Sequence, residues 1–254
     1  MAERWIDPSA AAVAAPVSVD EPYEVIGIER CTPTIVELWL QPLDSVLEYL
    51  PGEYVLLEDR DRIIPLRSFS IANAPRSDGL ISLLVTLVPD GETSTWVHER
   101  LRVGETVSIS GPYGTFVDDP TSARPALFLA AGSGLAPIRA LVEGALSSGV
   151  RGSLTLIFSS RTEADVIDGA RLDQWQAQHL RFRFLRTLTR GAGPPPHGRI
   201  PALLPSLYSD LSDHDLFIAG APGFVLACAA AGDALGARRE WVHTEVFFTE
   251  PQSW

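Results

Sequence analysis

The apolar rhythm of the chain changes once, near residue 120, and that change constrains the architecture more than any other feature. Before it, short apolar runs follow one another closely: Tyr23 to Ile28, Ile35 to Leu40, Tyr54 to Leu57, Ile81 to Val88 and Glu105 to Ser110. Turn-forming pairs separate them, among them Pro51-Gly52, Asp78-Gly79, Asp90-Gly91 and Val103-Gly104. Many short strands at close spacing predict an antiparallel barrel or sandwich, with one short helix near Thr95 to Leu101. After residue 120 the runs alternate in type. Ala126 to Ala130, Leu154 to Phe158, Phe182 to Leu185 and Leu216 to Ala219 read as strands. Ile138 to Leu146, Gly169 to His179 and Phe224 to Leu235 read as helices. Alternating strand and helix predicts a doubly wound α/β domain on a parallel sheet.

At 254 residues the chain suits two ordinary domains at about 150 residues each. The expected boundaries are a loose tail over 1–20, a β domain over 21–118, a linker over 119–125 and an α/β domain over 126–254. The Gly191 to Pro196 stretch reads as a loop.

Composition excludes several functions. All 20 basic residues are arginine, so Schiff-base chemistry and a P-loop lysine are ruled out, and any phosphate-binding cation is a planar arginine. The net charge of −12 argues against nucleic acid or an anionic membrane as partner. No apolar run is long enough to span a bilayer, so no membrane insertion is expected. The start of the chain lacks a positive flank and a long apolar core, which points to a cytoplasmic protein. Two cysteines, Cys31 and Cys228, are too few for an iron–sulfur cluster or a cysteine-rich zinc site, and no metal site is expected. Both are expected to be reduced and buried.

Two elements carry recognisable chemistry. Leu127 to Pro137 contains a strand, then Gly132-Ser133-Gly134, then a helix start with Pro137 in the first turn. Glycines let backbone amides approach a pyrophosphate at a helix N-terminus. Small residues at such a turn also serve packing, and this element alone leaves both readings open. The second is Arg67-Ser68-Phe69-Ser70-Ile71-Ala72-Asn73-Ala74-Pro75. Arg67 could neutralise a phosphate, Phe69 offers a flat face and Ser70 a hydroxyl. An ordinary strand with an exposed arginine fits equally well.

Taken in order, Arg67 to Pro75, Gly111-Pro112-Tyr113-Gly114, Gly132 to Pro137, Gly220-Ala221-Pro222-Gly223 and Glu245-Val246-Phe247 resemble the ferredoxin–NADP reductase superfamily over about residues 21–248. The resemblance implies an antiparallel flavin-binding β-barrel followed by the nucleotide-binding α/β domain, with FAD and NADP (or NAD) as cofactors. It implies that Arg67 contacts the flavin phosphate region, that Ser68 is cofactor-binding, that Phe69 packs on the flavin and that Ser70 hydrogen-bonds near its reactive nitrogen. Asn73 belongs to the same motif. Gly91, Thr93 and Ser94 resemble a second phosphate turn, although Asp90 stands where the family has glycine. Gly132, Ser133, Gly134, Pro137 and Gly220 would cradle the nicotinamide dinucleotide. Arg161 and Arg190 would read its ribose and favour a 2′-phosphate, or else are surface arginines. Ser70 and Glu245 are the implied catalytic pair. Phe247, Phe248 and Trp254 could cover the flavin. Ala219 replaces the family's usual cysteine. The implied activity is an NAD(P)H-dependent reductase that passes electrons through flavin to a separate redox protein, a ferredoxin or an oxygenase component. A reductase that releases reduced flavin, and a non-redox flavin protein, are the alternatives. Arg181, Arg183, Arg186 and Arg190 form a candidate docking cluster or a solvated face.

Overall fold

The structure, a computed structural model, describes residues 19–190 and 196–248. The expected N-terminal tail up to residue 18, most of the proline-bearing loop and Trp254 lie outside those residues.

The first domain holds β1 (Val19–Thr32), β2 (Ile35–Pro42), β3 (Tyr54–Asp59), β4 (Arg67–Ser70), β5 (Ile81–Thr86) and β6 (Thr106–Tyr113). They form one antiparallel sheet in the order β4-β3-β6-β1-β2-β5. Just past β4, Ile71 bridges Leu83 of β5, and the Ala72 N–H donates to the Ser82 carbonyl at 2.8 Å. The two ends of the sheet therefore meet, and the sheet closes into a six-stranded barrel. A short helix, α1 (Glu92–Thr95), runs into a wide helical turn over Trp96–Arg100, so the helix expected near Thr95 begins three residues earlier.

Side-chain alternation divides the barrel wall into two faces. Val36, Leu38 and Leu40 of β2 and Ile81, Leu83 and Val85 of β5 fill the barrel interior. The residues between them, Ile35, Glu37, Ser82 and Leu84, face outward yet are also buried. Burial on both faces explains why Ile81 to Val85 reads as a nearly continuous apolar run. What covers the outer face is the second domain: Ile35, Ala72 and Leu84 share a core cluster with Phe128, Leu135 and Ile138.

That domain has β7 (Ala126–Ala131), α2 (Leu135–Ser148), β8 (Leu154–Ser160), α3 (Gly169–Gln178), β9 (Phe182–Leu188), α4 (Ile200–Leu207), β10 (Asp215–Gly220), α5 (Pro222–Ala234) and β11 (Val242–Val246). The five strands are parallel in the order β11-β10-β7-β8-β9. Phe128 and Ala130 of β7 pack under α2, while Leu127 and Leu129 pack toward α4 and α5. Helix α4 was not legible in the sequence, because Pro201 and Pro205 mask its apolar period. Pro201 sits in the first turn, where its missing N–H costs nothing.

The linker is pinned rather than loose. Asp215, buried at the start of β10, accepts from Ser122 Oγ and Arg124 Nε, each at 3.0 Å. Arg151 joins the same cluster, donating to Asp215 and to Asp118. Cys228 is buried as expected, but Cys31 is only half-buried, being near the end of β1 where the chain turns at the cleft. Burial holds the Cys31 thiol up at about 11 and the Cys228 thiol up at about 12, so both stay protonated at neutral pH.

Candidate active site

Ligands of parallel sheets sit beyond the carboxyl ends of the strands. Here that end of the second sheet faces the barrel, and two adjoining cavities lie between them. The first, of about 320 Å³, is lined by Gly132, Ser133, Gly134, Arg161, Thr189 and Gly220, with Thr32, Thr34 and Thr86 from the barrel side. The second, of about 480 Å³, is lined by Pro65 to Phe69 without Leu66, by Asp90 to Ser94, and by Val246, Phe247 and Phe248. Thr86 and Phe247 line both, so Phe247 stands at the junction.

The turn between β7 and α2 shows why each glycine is there. Gly132 has φ +56, a left-handed conformation that suits glycine, and a Cβ on it would meet open space. This is a cradle that leaves room for a ligand. Gly134 has the opposite reason: a Cβ would lie 2.3 Å from the Ala219 carbonyl oxygen, so glycine there lets α2 start against β10. Ser133 Oγ accepts from Thr86 Oγ1 at 2.9 Å, tying the turn to the barrel. Pro137 is buried within α2 and Gly220 closes the opposite wall.

On the barrel side, Arg67 and Phe69 share one face of β4, and Ser68 and Ser70 the other. Arg67 is exposed; its guanidinium donates to the neighbouring Leu66 carbonyl at 2.9 Å, and among the described residues no carboxylate lies within ion-pair distance. An arginine without a counter-ion on a cavity wall suits an anionic ligand. Across the cavity, Asp90 adopts φ +59, which explains why glycine is the easier residue at that position and why an aspartate can still occupy it. Gly91 is required by close approach, since a Cβ would lie 2.7 Å from Ser94 Oγ. Thr93 and Ser94 turn their hydroxyls inward: Thr93 donates to the Pro65 carbonyl at 2.6 Å, and Ser94 Oγ accepts from the Val88 N–H at 3.1 Å. Their side chains shape the turn, and the first-turn amides of α1 are the groups left to face a ligand.

Ser70 and Glu245 are brought together from 175 positions apart, the serine hydroxyl donating to Glu245 Oε1 at 2.7 Å. Ser70 is 3% exposed. Glu245 sits on β11 opposite Ala219, which is wholly buried. The second oxygen of Glu245, Oε2, is buried without a hydrogen-bond partner. Burial raises the Glu245 carboxyl to about 7, against the opposing pull of the Ser70 hydrogen bond. Glu245 also lines a third cavity of about 330 Å³ with Tyr54, Gly114, Thr115, Phe116 and His243. His243 stacks on Phe217 at 4.6 Å, a neighbour that sequence reasoning did not single out.

Not every expected residue reaches the cavities. Asn73 is buried and its amide is consumed internally, donating to Tyr49 Oη and to the Ala74 and Leu80 carbonyls and accepting from the Ser82 N–H. It shapes the turn after β4. Arg190 is exposed beside the first cavity and bonds through its N–H to the Arg161 carbonyl at 2.8 Å. The four arginines of the candidate docking cluster do not act as one group: Arg181 donates to the carbonyls of Gly149 and Arg151, both at 2.7 Å, before the start of β9, while Arg190 lies past its far end. Among the described residues there is no cluster that could hold a metal ion, and no helix is long and apolar enough to cross a membrane.

The six-stranded antiparallel sheet joined to the five-stranded parallel sheet leaves two adjoining cavities between them, with room for two ligands side by side. Residues 32–117 match the family model of the oxidoreductase FAD-binding domain, and residues 128–230 that of the oxidoreductase NAD-binding domain. The chain is similar to ferredoxin–NADP reductase B of Sorangium cellulosum, with 33% identity over 244 residues, 89% of this chain and 97% of that one. It is also similar to reductase component 2 of terephthalate 1,2-dioxygenase from Comamonas sp., at 30% identity, covering 83% of this chain but 62% of that longer one. Among solved structures, the ferredoxin reductase in carbazole 1,9a-dioxygenase has the same fold, with a TM-score of 0.83 at 24% identity over 92% of this chain and 71% of that one. A Neisseria gonorrhoeae ferredoxin NADP+ reductase with bound FAD and NADP superposes with a TM-score of 0.79 at 20% identity, covering 90% of this chain and 99% of that one. The chain belongs to the ferredoxin–NADP reductase superfamily, and it is an NAD(P)H-dependent flavoprotein oxidoreductase with an FAD-binding and an NAD-binding domain.

Proposed function

We propose that the chain takes a hydride from NADPH or NADH onto bound FAD and passes the electrons to a separate protein, a ferredoxin or the terminal component of an oxygenase. The observation that carries this reading is the Ser70–Glu245 pair, which joins β4 of the barrel to β11 of the second domain at 2.7 Å, while Phe69 and Phe247, their near neighbours in sequence, line the second cavity. The reading places the reaction in the cytoplasm, where nicotinamide coenzymes circulate.

FAD, when bound, supplies the hydride acceptor and releases electrons one at a time. The chain's own residues do the rest. Arg67 and the first-turn amides around Gly91, Thr93 and Ser94 fit the phosphates, and Ser68 and Phe69 form the wall beside them. Phe247, which lines both cavities, would form a wall shared by the flavin and the nucleotide. Gly132, Ser133 and Gly134 offer backbone approach to the dinucleotide's pyrophosphate at the head of α2, with Pro137 stiffening the first turn. Gly220 keeps the opposite wall low. Ser70 presents a hydroxyl oriented by Glu245, whose free Oε2 can hold or yield a proton without moving.

The sequence holds two cysteines, which supports a partner rather than an internal iron–sulfur centre as the next carrier. The test is reconstitution: purified protein with FAD, either nicotinamide and an added ferredoxin should reduce the ferredoxin catalytically. Reduction of free flavin only, with the FAD lost on desalting, would contradict it.

Coenzyme choice rests on Arg161, which lines the first cavity and has no carboxylate within ion-pair distance among the described residues. Arg161→Ala should lower the preference for NADPH over NADH by about tenfold, the worth of a charge-assisted hydrogen bond, while leaving turnover with NADH nearly unchanged. Steady-state kinetics with both coenzymes checks it. Equal losses with both would assign the 2′-phosphate contact elsewhere.

A further inference from the structure

We propose that Arg139 is a positioning residue for hydride transfer: its buried guanidinium sets where the nucleotide turn at the head of α2 stands relative to the strand that carries Ser70. The proposal rests on the reading of function above and goes beyond it by naming what holds the two halves of the cleft in register.

Arg139 lies on α2, five residues past Gly134, and is 0% exposed. It crosses out of its own domain. Nε donates to the Ala72 carbonyl at 2.6 Å, two residues beyond Ser70. Nη2 donates to Glu37 Oε1 and, at 3.0 Å, to Ser82 Oγ. Nη1 lies 3.4 Å from Glu37 Oε2 and also donates to Asp168, the residue that precedes α3 in a left-handed conformation. One planar fork is therefore bonded to the chain after β4, to β2, to β5 and to the start of α3. Glu37 and Ser82 are the polar members of the outward face of β2 and β5, a face otherwise built of Ile35 and Leu84. Glu37 is 2% exposed, so it has no solvent alternative to Arg139.

Two flanking contacts repeat the crossing on the same helix and its turn. Ser133 Oγ accepts from Thr86 Oγ1 at 2.9 Å, and Glu143 Oε2 accepts from the Ala74 N–H at 2.7 Å. The seam thus touches the barrel along Ala72 to Ala74, just past Ser70, and at the end of β5.

A buried ion pair is weak grounds for stability, since apolar side chains of like volume hold two surfaces together as well or better. What they do not provide is direction. Arginine's rigid fork satisfies several acceptors only in one relative placement. A misplacement of about 1 Å between reacting groups costs roughly a hundredfold in rate, so a seam that fixes direction bears on hydride transfer itself.

The experiment separates this from a purely structural role. The double variant Arg139→Met/Glu37→Leu replaces the pair by apolar groups and avoids leaving one buried charge alone. Ser82→Ala and Asp168→Ala each remove one bond of the fork. For each, loaded with FAD, flavin reduction is followed anaerobically by stopped flow at saturating NADPH or NADH, together with the long-wavelength band of a stacked nicotinamide–flavin pair and thermal unfolding of the same sample. Expected is a fall of about tenfold or more in the limiting rate for the double variant, a smaller fall for the single ones, and a weakened stacking band, with half-saturation by nucleotide little changed. A folded, FAD-loaded double variant with the wild-type rate and band overturns the proposal, even if its Tm is lower. If the double variant fails to retain FAD, the two single variants decide, and wild-type rate and band in both overturn it. A wild-type protein that no nicotinamide reduces overturns the reading of function and this proposal with it, and is recognised by occurring without any substitution.

Discussion

Ser70→Ala slows flavin reduction by NAD(P)H about a hundredfold, within the range for loss of a positioned acid–base or hydrogen-bonding group. The hydroxyl is almost fully buried and its proton is already aimed at Glu245 Oε1, so alanine removes the group and leaves the carboxylate without its one partner. Glu245→Gln should cost less, about tenfold, because an amide oxygen still accepts from Ser70. What it removes is the titration. Burial lifts the Glu245 carboxyl to about 7 from its ordinary value of 4.5, so the wild-type rate should bend near neutral pH and the glutamine variant should not. The sign on stability follows from the same shift. Between about pH 4.5 and 7 the folded chain holds a proton that the unfolded chain has released. The contribution of Glu245 is therefore fully present below the lower value and is lost as pH rises through the upper one. Stopped-flow reduction across pH and unfolding of wild type and Glu245→Gln check both halves. A wild-type profile flat through neutrality would remove Glu245 from proton handling.

Gly134→Ala destabilises the second domain by about 3 kcal/mol, the upper end of ordinary overpacking. The new methyl carbon would lie 2.3 Å from the Ala219 oxygen and 2.5 Å from its carbonyl carbon, both backbone atoms of a central strand that cannot rotate away. Relief requires α2 to lift from β10, which opens the core beneath Leu135 and Ile138. Gly132→Ala, two residues away, is the control. It meets open space but must adopt φ +56, so it should cost about 1 kcal/mol and weaken nucleotide binding more than folding. Denaturant melts of the two variants separate packing from cradling. Similar losses in both would mean that the turn is a ligand site only.

These two glycines show how far the sequence alone could be read. Their motif was legible, but their division of labour was not, since it depends on how close β10 comes to one and not to the other. The barrel and the alternating α/β half were legible from local period, because each strand is short and bounded by turn residues. Helix α4 escaped because two prolines interrupt its pattern, and barrel closure through Ile71 and Leu83 leaves no local trace. Gly132, Ser133 and Gly134 of the glycine turn and Arg67, Ser68 and Phe69 of β4 line cavity walls, whereas Ser70 and Pro137 line none and Asn73 is internal scaffolding with its amide bonded. Arg139 falls in the stretch Ile138 to Leu146 that reads as a helix. Nothing near it in sequence marks Glu37 or Ser82, on separate strands of the other domain, as its partners.

Adding NADPH, or NADH, without oxygen to the purified FAD-loaded protein while its visible spectrum is recorded decides whether hydride enters the flavin. The account predicts rapid bleaching of the flavin band with at least one nucleotide, and re-oxidation on adding a ferredoxin or oxygenase component. Bound flavin that stays oxidised with both nucleotides would contradict it, and would leave the Ser70–Glu245 pair without a reaction to serve.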